Sequence, residues 1–317
     1  MKTKRAILVE PGRFEIEELD IAPKPGQVLV KIEVCGLCNW EKNHWKGLLG
    51  KCPQSLGHEW AGTVVETGGV VKLKPGDRIT ALPGSLTGFS EYTVESEANC
   101  FRLDPKVDTQ YALGEPLKCI ITVLRGAAPE AGDNGVILGC GPMGLWCIQG
   151  LTGKFLSSLI AVDVDEKKLA LAKKFGATHV INPEKVNAKE EIERITGGQM
   201  ADFVIEGTGN PAILDTAISY IRTSGRGRLI LMSSNEAACK GIDFREAIKR
   251  SIEIRVTHPG YSLNQSDDMR RAVSYLNNGT FRLDEMITHR FRLEDINEAF
   301  SVLCNKTADY IKGVVIP

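Results

Sequence analysis

The feature that most constrains this chain is the run Val136-Ile137-Leu138 leading directly into Gly139-Cys140-Gly141-Pro142-Met143-Gly144, with an apolar stretch behind it. A short β-branched run predicts a buried strand. Glycines at the first, third and sixth positions of the turn that follows predict the strand-to-helix corner of a dinucleotide-binding unit. Gly139 permits the tight turn, Gly141 lets backbone approach a pyrophosphate, and Gly144 lets the helix pack closely on the strand. The helix N-terminus then faces the phosphates, and Pro142 and Met143, lying in the turn, join the candidate cofactor contacts.

A glycine triplet alone also suits a plain corner. Here a second strand, LIAVD, ends in Asp163, twenty-four residues after Gly139, where a ribose-binding acid belongs. Such a carboxylate accepts hydrogen bonds from ribose hydroxyls and repels a 2′-phosphate, which favours NAD over NADP. Lys167 and Lys168 pull the other way, and Lys168 is kept as a candidate cofactor contact. The plain alternative is that Asp163 starts a turn.

Around this unit the chain changes grammar. QVLVKIEVCG, AGTVVETG and FSEYTV are short β-type runs separated by PKPG, KPGD and LPG, so the first hundred or so residues read as a mostly β domain. From about Tyr111, apolar runs alternate with helix-like segments, the pattern of a parallel sheet with crossover helices. After Arg255 the pattern is mixed: DDMRRAVSYLNNG and LEDINEAFSVLCN read as amphipathic helices and IKGVVIP as a closing strand. NPEKVNAKEEIERITGG reads as a solvated helix face.

With 43% hydrophobic and 25% charged residues and a formal net charge of -1, the chain is an ordinary globular sequence with no electrostatic case for nucleic acid or an anionic membrane. Nine scattered cysteines, an odd number without a paired framework, suit a reducing compartment. MKTKRAILVEPG has too short an apolar run for a signal segment, and no stretch approaches the roughly 18 apolar residues of a membrane span. A cytoplasmic protein is expected.

Three segments hold side chains suited to zinc: CGLCNWEKNHW, LGHEWAG and LGEPLKC. Cys38, His58, Glu59 and Glu115 offer thiolate, imidazole and carboxylate, the mixture that a tetrahedral zinc site takes, and their separation suits a site assembled by a fold. Cys35 and Cys38 also form a single CxxC, which reads alternatively as a redox pair. His179 and His289 read as surface or core residues, Cys119 as packing; His258 could approach a cofactor or substrate.

GHEWAGTVVETGGVVKLKPGDRIT, then GFSEYTV, EPL, LGCGPMG and DVDEKKLALAKKFGA, resemble in order the signature stretches of the zinc-containing medium-chain alcohol and polyol dehydrogenases, sorbitol dehydrogenase-like members in particular. The resemblance covers essentially the whole chain. It implies an α/β fold: a GroES-like, mostly β catalytic domain over 1–115, completed by 256–317, and a doubly wound Rossmann domain over 116–255. By the same resemblance Cys38 is the thiolate ligand, His58 the imidazole ligand, Glu59 the acid beside it, and Glu115 the ligand position that is carboxylate in sorbitol-type members. Thr208 and Gly209, in EGTGNP, would touch the adenosine or ribose. A homodimer or homotetramer is implied as well.

Two departures matter. The four-cysteine lobe that binds a structural zinc in some members has no counterpart in GDRITALPGSLTGFSEY, so one catalytic zinc per chain is expected. Where many relatives carry a hydroxyl that relays the substrate proton, this chain has Trp40, which cannot relay one. Glu41 keeps the aspartate-like position, Asn43 occupies the relay-histidine position, and His44 follows one residue later. The proton is therefore expected to leave through ordered water, His44 or Glu59. The implied chemistry is removal of hydride from a carbon whose hydroxyl a Lewis-acidic cation polarises, with nicotinamide as acceptor. Trp40, Trp45 and Trp60 flank the ligand segments, either as aromatic faces for a polyol, sugar or cyclitol or as core. The competing classes are a zinc-free quinone or enoyl reductase of the same superfamily and a non-catalytic nicotinamide-binding protein.

Overall fold

A computed structural model describes residues 1–153, 155–233 and 244–317; Cys239 lies outside them. The chain divides into two compact units, 1–118 with 269–317, and 119–268.

The second unit is built on the strands whose apolar runs are continuous. Asn134–Leu138 and Ser158–Val162 are buried along their whole length, as strands covered on both faces must be. The sheet runs His179–Ile181, Ser158–Val162, Asn134–Leu138, Phe203–Glu206, Arg228–Leu231, Glu253–Val256, with every pairing parallel. Numbered along the chain, this is the 3-2-1-4-5-6 order of a Rossmann unit. Its helices have legible boundaries. Asp165 caps Glu166–Lys174 by accepting from the amides of Lys167 and Lys168, and Lys173 and Lys174 close it. Asn187 caps Ala188–Ile195 in the same way, and that helix buries Ala188 and Ile192 while its charged residues face outward.

The first unit is GroES-like and mostly β. Its larger sheet runs Ile287–Arg292, Lys312–Ile316, Gln27–Gly36, Trp60–Thr67, Arg78–Ala81, Cys100–Arg102, with Tyr92–Ser96 also paired to Gln27–Gly36. The closing strand thus returns to the first sheet, antiparallel to Gln27–Gly36. A smaller sheet joins Arg13–Asp20, Lys2–Glu10 and Gln54–Ser55. Between the sheets and helix Ile296–Cys304 sits an aromatic core in which Phe300 packs 4.9 Å from Phe14 and 5.7 Å from Phe89, centroid to centroid.

The chain crosses between the units after 118 and after 268, where the resemblance implies 115 and 255. The second difference has a physical cause. Buried Asp268 accepts from Thr122 Oγ1 at 3.0 Å and Ser262 Oγ at 2.6 Å and pairs with Arg125 Nε at 2.5 Å. These bonds hold the segment after Glu253–Val256 to the second unit. Among the described residues no helix is long and apolar enough to cross a membrane.

At the glycine turn, Gly139 adopts φ +89°. A Cβ on Gly144 would lie 1.9 Å from Gly139 O, a backbone atom, whereas one on Gly141 would meet nothing within 4 Å. Gly144→Ala is therefore expected to lower the unfolding free energy by about 1–3 kcal/mol, the usual range for overpacking. Gly141→Ala, at φ -68°, should leave it unchanged or slightly raised. Urea unfolding of the two variants checks the contrast.

Candidate functional site

Three neighbouring strands deliver the ligand candidates. Cys35 stands opposite Trp60 on one side and Val315 on the other. Gly36 N donates to Glu59 O at 2.7 Å, and Leu37 N to Gly313 O at 2.9 Å. The residue that follows the central strand by two, the pair that precedes Trp60–Thr67, and the first residue of Lys312–Ile316 consequently meet at one sheet end. Gly36 is required there, since a Cβ would sit 2.1 Å from Glu59 Oε2 and 3.1 Å from Leu113 Cδ1.

Among the described residues, Cys38, His58 and Glu59 form the one group of three metal-type ligands whose donor atoms all lie within 4.8 Å of one another. Glu115 approaches from the first turn of helix Gly114–Ala127, with Oε2 3.7 Å from His58 Nε2. Its approach is set by buried Thr80, whose Oγ1 donates to Trp60 O at 2.9 Å and accepts from Gly114 N at 3.2 Å. No sequence pattern singled out Thr80.

Glu41 organises the imidazole. One of its oxygens, Oε1, accepts from Gly57 N at 2.7 Å, His58 N at 3.2 Å and His58 Nδ1 at 2.9 Å. With Nδ1 taken, Nε2 is the nitrogen left for a metal. Burial pulls the His58 pKa down, but the Glu41 charge and hydrogen bonds with Cys38 and Glu41 outweigh it and hold it well above the usual value. Burial and then Glu59 push the Cys38 thiol up. Burial also raises the Glu59 carboxyl, yet Lys312, His58 and Cys38 together outweigh it and keep it below the usual range. A divalent cation reverses this logic by favouring thiolate and neutral imidazole. The donor set, the oriented imidazole and the carboxylate together fit a zinc-type ion.

Sequence reading missed two lysines. Lys312 Nζ donates to Glu59 Oε2 at 2.5 Å and to Leu37 O at 3.0 Å. Lys118 Nζ lies 2.9 Å from Glu115 Oε1. The first had no local signal; the second stands three residues after Glu115, ordinary spacing for a helical ion pair.

The aromatic residues separate. Trp60 is buried and Trp45 packs on Phe300, both in the core. Trp40 is 40% exposed, with its ring 5.4 Å from that of His58 and 4.2 Å from that of His44. His44 is itself buried, its Nδ1 3.0 Å from Gln54 Oε1 and its Nε2 without a hydrogen-bond partner among the described residues.

At the glycine turn, Asp163 Oδ2 accepts from Cys140 N at 2.6 Å and Oδ1 from Asp165 N at 2.9 Å. Pro142 and Met143 are half-buried in the first turn of helix Pro142–Leu151. Lys168 is engaged with Asp165, Nζ to Oδ2 3.6 Å. Thr208 lies beside Gly139 and donates to Glu206 Oε1 through both its amide, at 2.6 Å, and its hydroxyl, at 2.5 Å. His258 and His179 lie in the second unit, outside the ligand group, and His289 stacks on Phe291.

Comparison with known proteins identifies the family. Residues 24–110 match the alcohol dehydrogenase GroES-like domain and residues 142–278 the zinc-binding dehydrogenase family. The chain is 30% identical to an L-threonine 3-dehydrogenase of Pyrococcus abyssi over 96% of this chain and 94% of that protein. It is 29% identical to D-xylulose reductase A of Aspergillus oryzae over 91% of this chain and 89% of that protein. A crystal structure of an Escherichia coli oxidoreductase/dehydrogenase of unknown specificity superimposes with a TM-score of 0.89 at 27% identity, covering 100% of this chain and 99% of that one.

The chain belongs to the zinc-type medium-chain alcohol/polyol dehydrogenase family. It is accordingly a dehydrogenase of the alcohol dehydrogenase type.

In this dehydrogenase Glu41→Ala would strip the acceptor from two backbone amides and one imidazole. The expected loss in unfolding free energy is about 3 kcal/mol, from about 1–3 kcal/mol per orphaned buried donor with partial rescue by water. Glu41→Gln keeps an acceptor oxygen and should lose less than half as much in the same denaturation measurement.

Proposed function

We propose that this dehydrogenase interconverts a secondary alcohol and its carbonyl compound with NAD, at one zinc ion, on a substrate of the polyol, sugar or cyclitol class. The observation that carries the reading is the convergence of Cys38, His58 and Glu59 within 4.8 Å, with Glu115 beside His58. Cys38 and His58 would be the principal ligands, with Glu59 and Glu115 as carboxylate ligands. When bound, zinc supplies a Lewis acid that makes an alcohol more acidic, and nicotinamide supplies the hydride acceptor.

The chain's own residues do the rest. Glu41 fixes the His58 tautomer and ring direction; Lys312 holds Glu59 ionised at the sheet end. Trp40 covers the edge of His58 with an indole that can donate but not accept. The substrate proton therefore needs a carboxylate oxygen or water to leave by.

Asp163 supports NAD. Its two oxygens each take one backbone amide, which aims the carboxylate at the glycine turn and leaves further acceptor capacity for ribose hydroxyls. Lys168, drawn to Asp165, is not a free cation for a 2′-phosphate. The polyol class is supported by the two carboxylates at the metal group, by the half-exposed face of Trp40, and by similarity to a D-xylulose reductase. A homodimer or homotetramer, as the family resemblance implies, and a cytoplasmic setting, as the scattered cysteines suggest, accompany this reading.

Purified protein should contain equimolar zinc and reduce NAD with polyols. Cys38→Ala should lose the metal and at least about 100-fold in kcat/KM, about 2.7 kcal/mol of transition-state stabilisation. Full zinc content and turnover in that variant, or oxidation of short aliphatic alcohols alone, would overturn the metal assignment and the substrate class respectively. Gly141→Ala, harmless to folding, should raise the NAD dissociation constant by about tenfold, because its methyl group occupies the space a pyrophosphate needs.

A further inference from the structure

Each carboxylate beside the metal group is already held by a lysine on one oxygen. Glu59 Oε2 is engaged by Lys312, and Glu115 Oε1 by Lys118 at 2.9 Å. Lys118 is 2% exposed. Water screens this ion pair little, and the ammonium engages one oxygen of a carboxylate whose other oxygen is 3.7 Å from His58 Nε2.

We propose that Lys118 is a positioning residue that keeps Glu115 half-available to the metal, presenting Oε2 alone, and thereby loosens the grip of the site on a divalent cation. The inference rests on the metal-centre reading given above. Its physical content is electrostatic. A fixed positive charge one carboxylate away from a cation site opposes the incoming ion, more strongly in a buried setting than in water. It also stabilises the metal-free state, because Glu115 is neutralised by a protein cation before any metal arrives. Without the ammonium, the metal-free protein would hold a buried carboxylate lacking that counter-charge, an arrangement whose cost a bound metal relieves. Both effects act in one direction: removing the lysine charge favours the loaded state. They also divide the ligands. Cys38 and His58 anchor the ion, while Glu115, shared with Lys118, is the ligand most readily given up to an incoming oxygen of water or substrate.

The test uses the full chain with Lys118→Met and Lys118→Arg. Zinc and cobalt affinities are measured by chelator competition, and Tm is measured for metal-free and metal-loaded protein. Lys118→Met should bind both ions about tenfold more tightly or more, release zinc more slowly to excess chelator, and show a larger gap between loaded and metal-free Tm. Lys118→Arg should stay near the parent. Unchanged or weaker affinity in Lys118→Met, with Tm lowered equally in both states, would mean a purely structural ion pair and overturn the proposal. If Lys118→Met does not fold, Lys118→Gln, with a neutral donor, should show the same direction of change, and no change there overturns the proposal equally. Cys38→Ser separates the two levels of inference. Weakened zinc binding in Cys38→Ser alongside no change in Lys118→Met removes only the role of Lys118, whereas unchanged affinity in both removes the metal centre itself.

Discussion

The hydrogen bonds that clamp the end of Gln27–Gly36 between its two neighbours are what the rest of the site depends on. Gly36 N to Glu59 O and Leu37 N to Gly313 O fix the register of three strands that lie far apart in the chain. Register in a sheet with one buried face is set by side-chain alternation, and a slip of one residue would turn every side chain to the opposite face. The core residues Val30, Ile32 and Trp60 on these strands enforce that register from one side of the sheet. The ligand geometry is thus a by-product of core packing. Cys38, Glu59 and Lys312 are each within a few residues of a strand end whose position the hydrophobic core has already decided.

The same clamp forces charge into a place where charge is expensive. Glu41, Glu59, Glu115, Lys118 and Lys312 are all buried. They tolerate this because they are matched: Glu41 with His58 and two amides, Glu59 with Lys312, Glu115 with Lys118. An ion pair held this way contributes little to stability relative to an apolar pair of equal size, but losing one member is costly. The network is better understood as orienting than as stabilising. It assigns one nitrogen of His58 and one oxygen of each carboxylate to protein partners.

How far this was legible from sequence follows from which interactions are local. The Rossmann strands were legible because they are buried on both faces and read as unbroken apolar runs, and the glycine turn because each glycine answers a local steric demand. Cys38, His58, Glu59 and Glu115 stood out because their residue types are chemically rare in combination. Lys312 and Thr80 were not legible: their roles arise from strand pairing and a helix start, contacts across 253 and 34 residues. The tryptophans show the opposite failure. Trp40, Trp45 and Trp60 look equivalent beside the ligand segments, yet Trp60 points into the sheet core and Trp45 against Phe300, because helix Asn39–Trp45 turns Trp45 and Trp40 to different sides.

Trp40 also bears on how a proton leaves this site. Its ring touches both His58 and His44, so the one imidazole near the usual relay position lies behind an indole that accepts no proton at its nitrogen. His44 Nδ1 is occupied by Gln54, and its Nε2 is sealed from solvent, so a proton delivered to His44 would have no exit without local opening. Glu59 is little better, being buried and bound on one oxygen to Lys312. Glu115 keeps partial exposure on its side chain, 12%, and a carboxylate oxygen that is not on Lys118. Of the two carboxylates gathered here, it is the one whose side chain keeps more contact with solvent. On the zinc-site reading proposed above, with an indole at position 40 in place of the hydroxyl that the resemblance implies for relatives, the proton would leave by Glu115 and water.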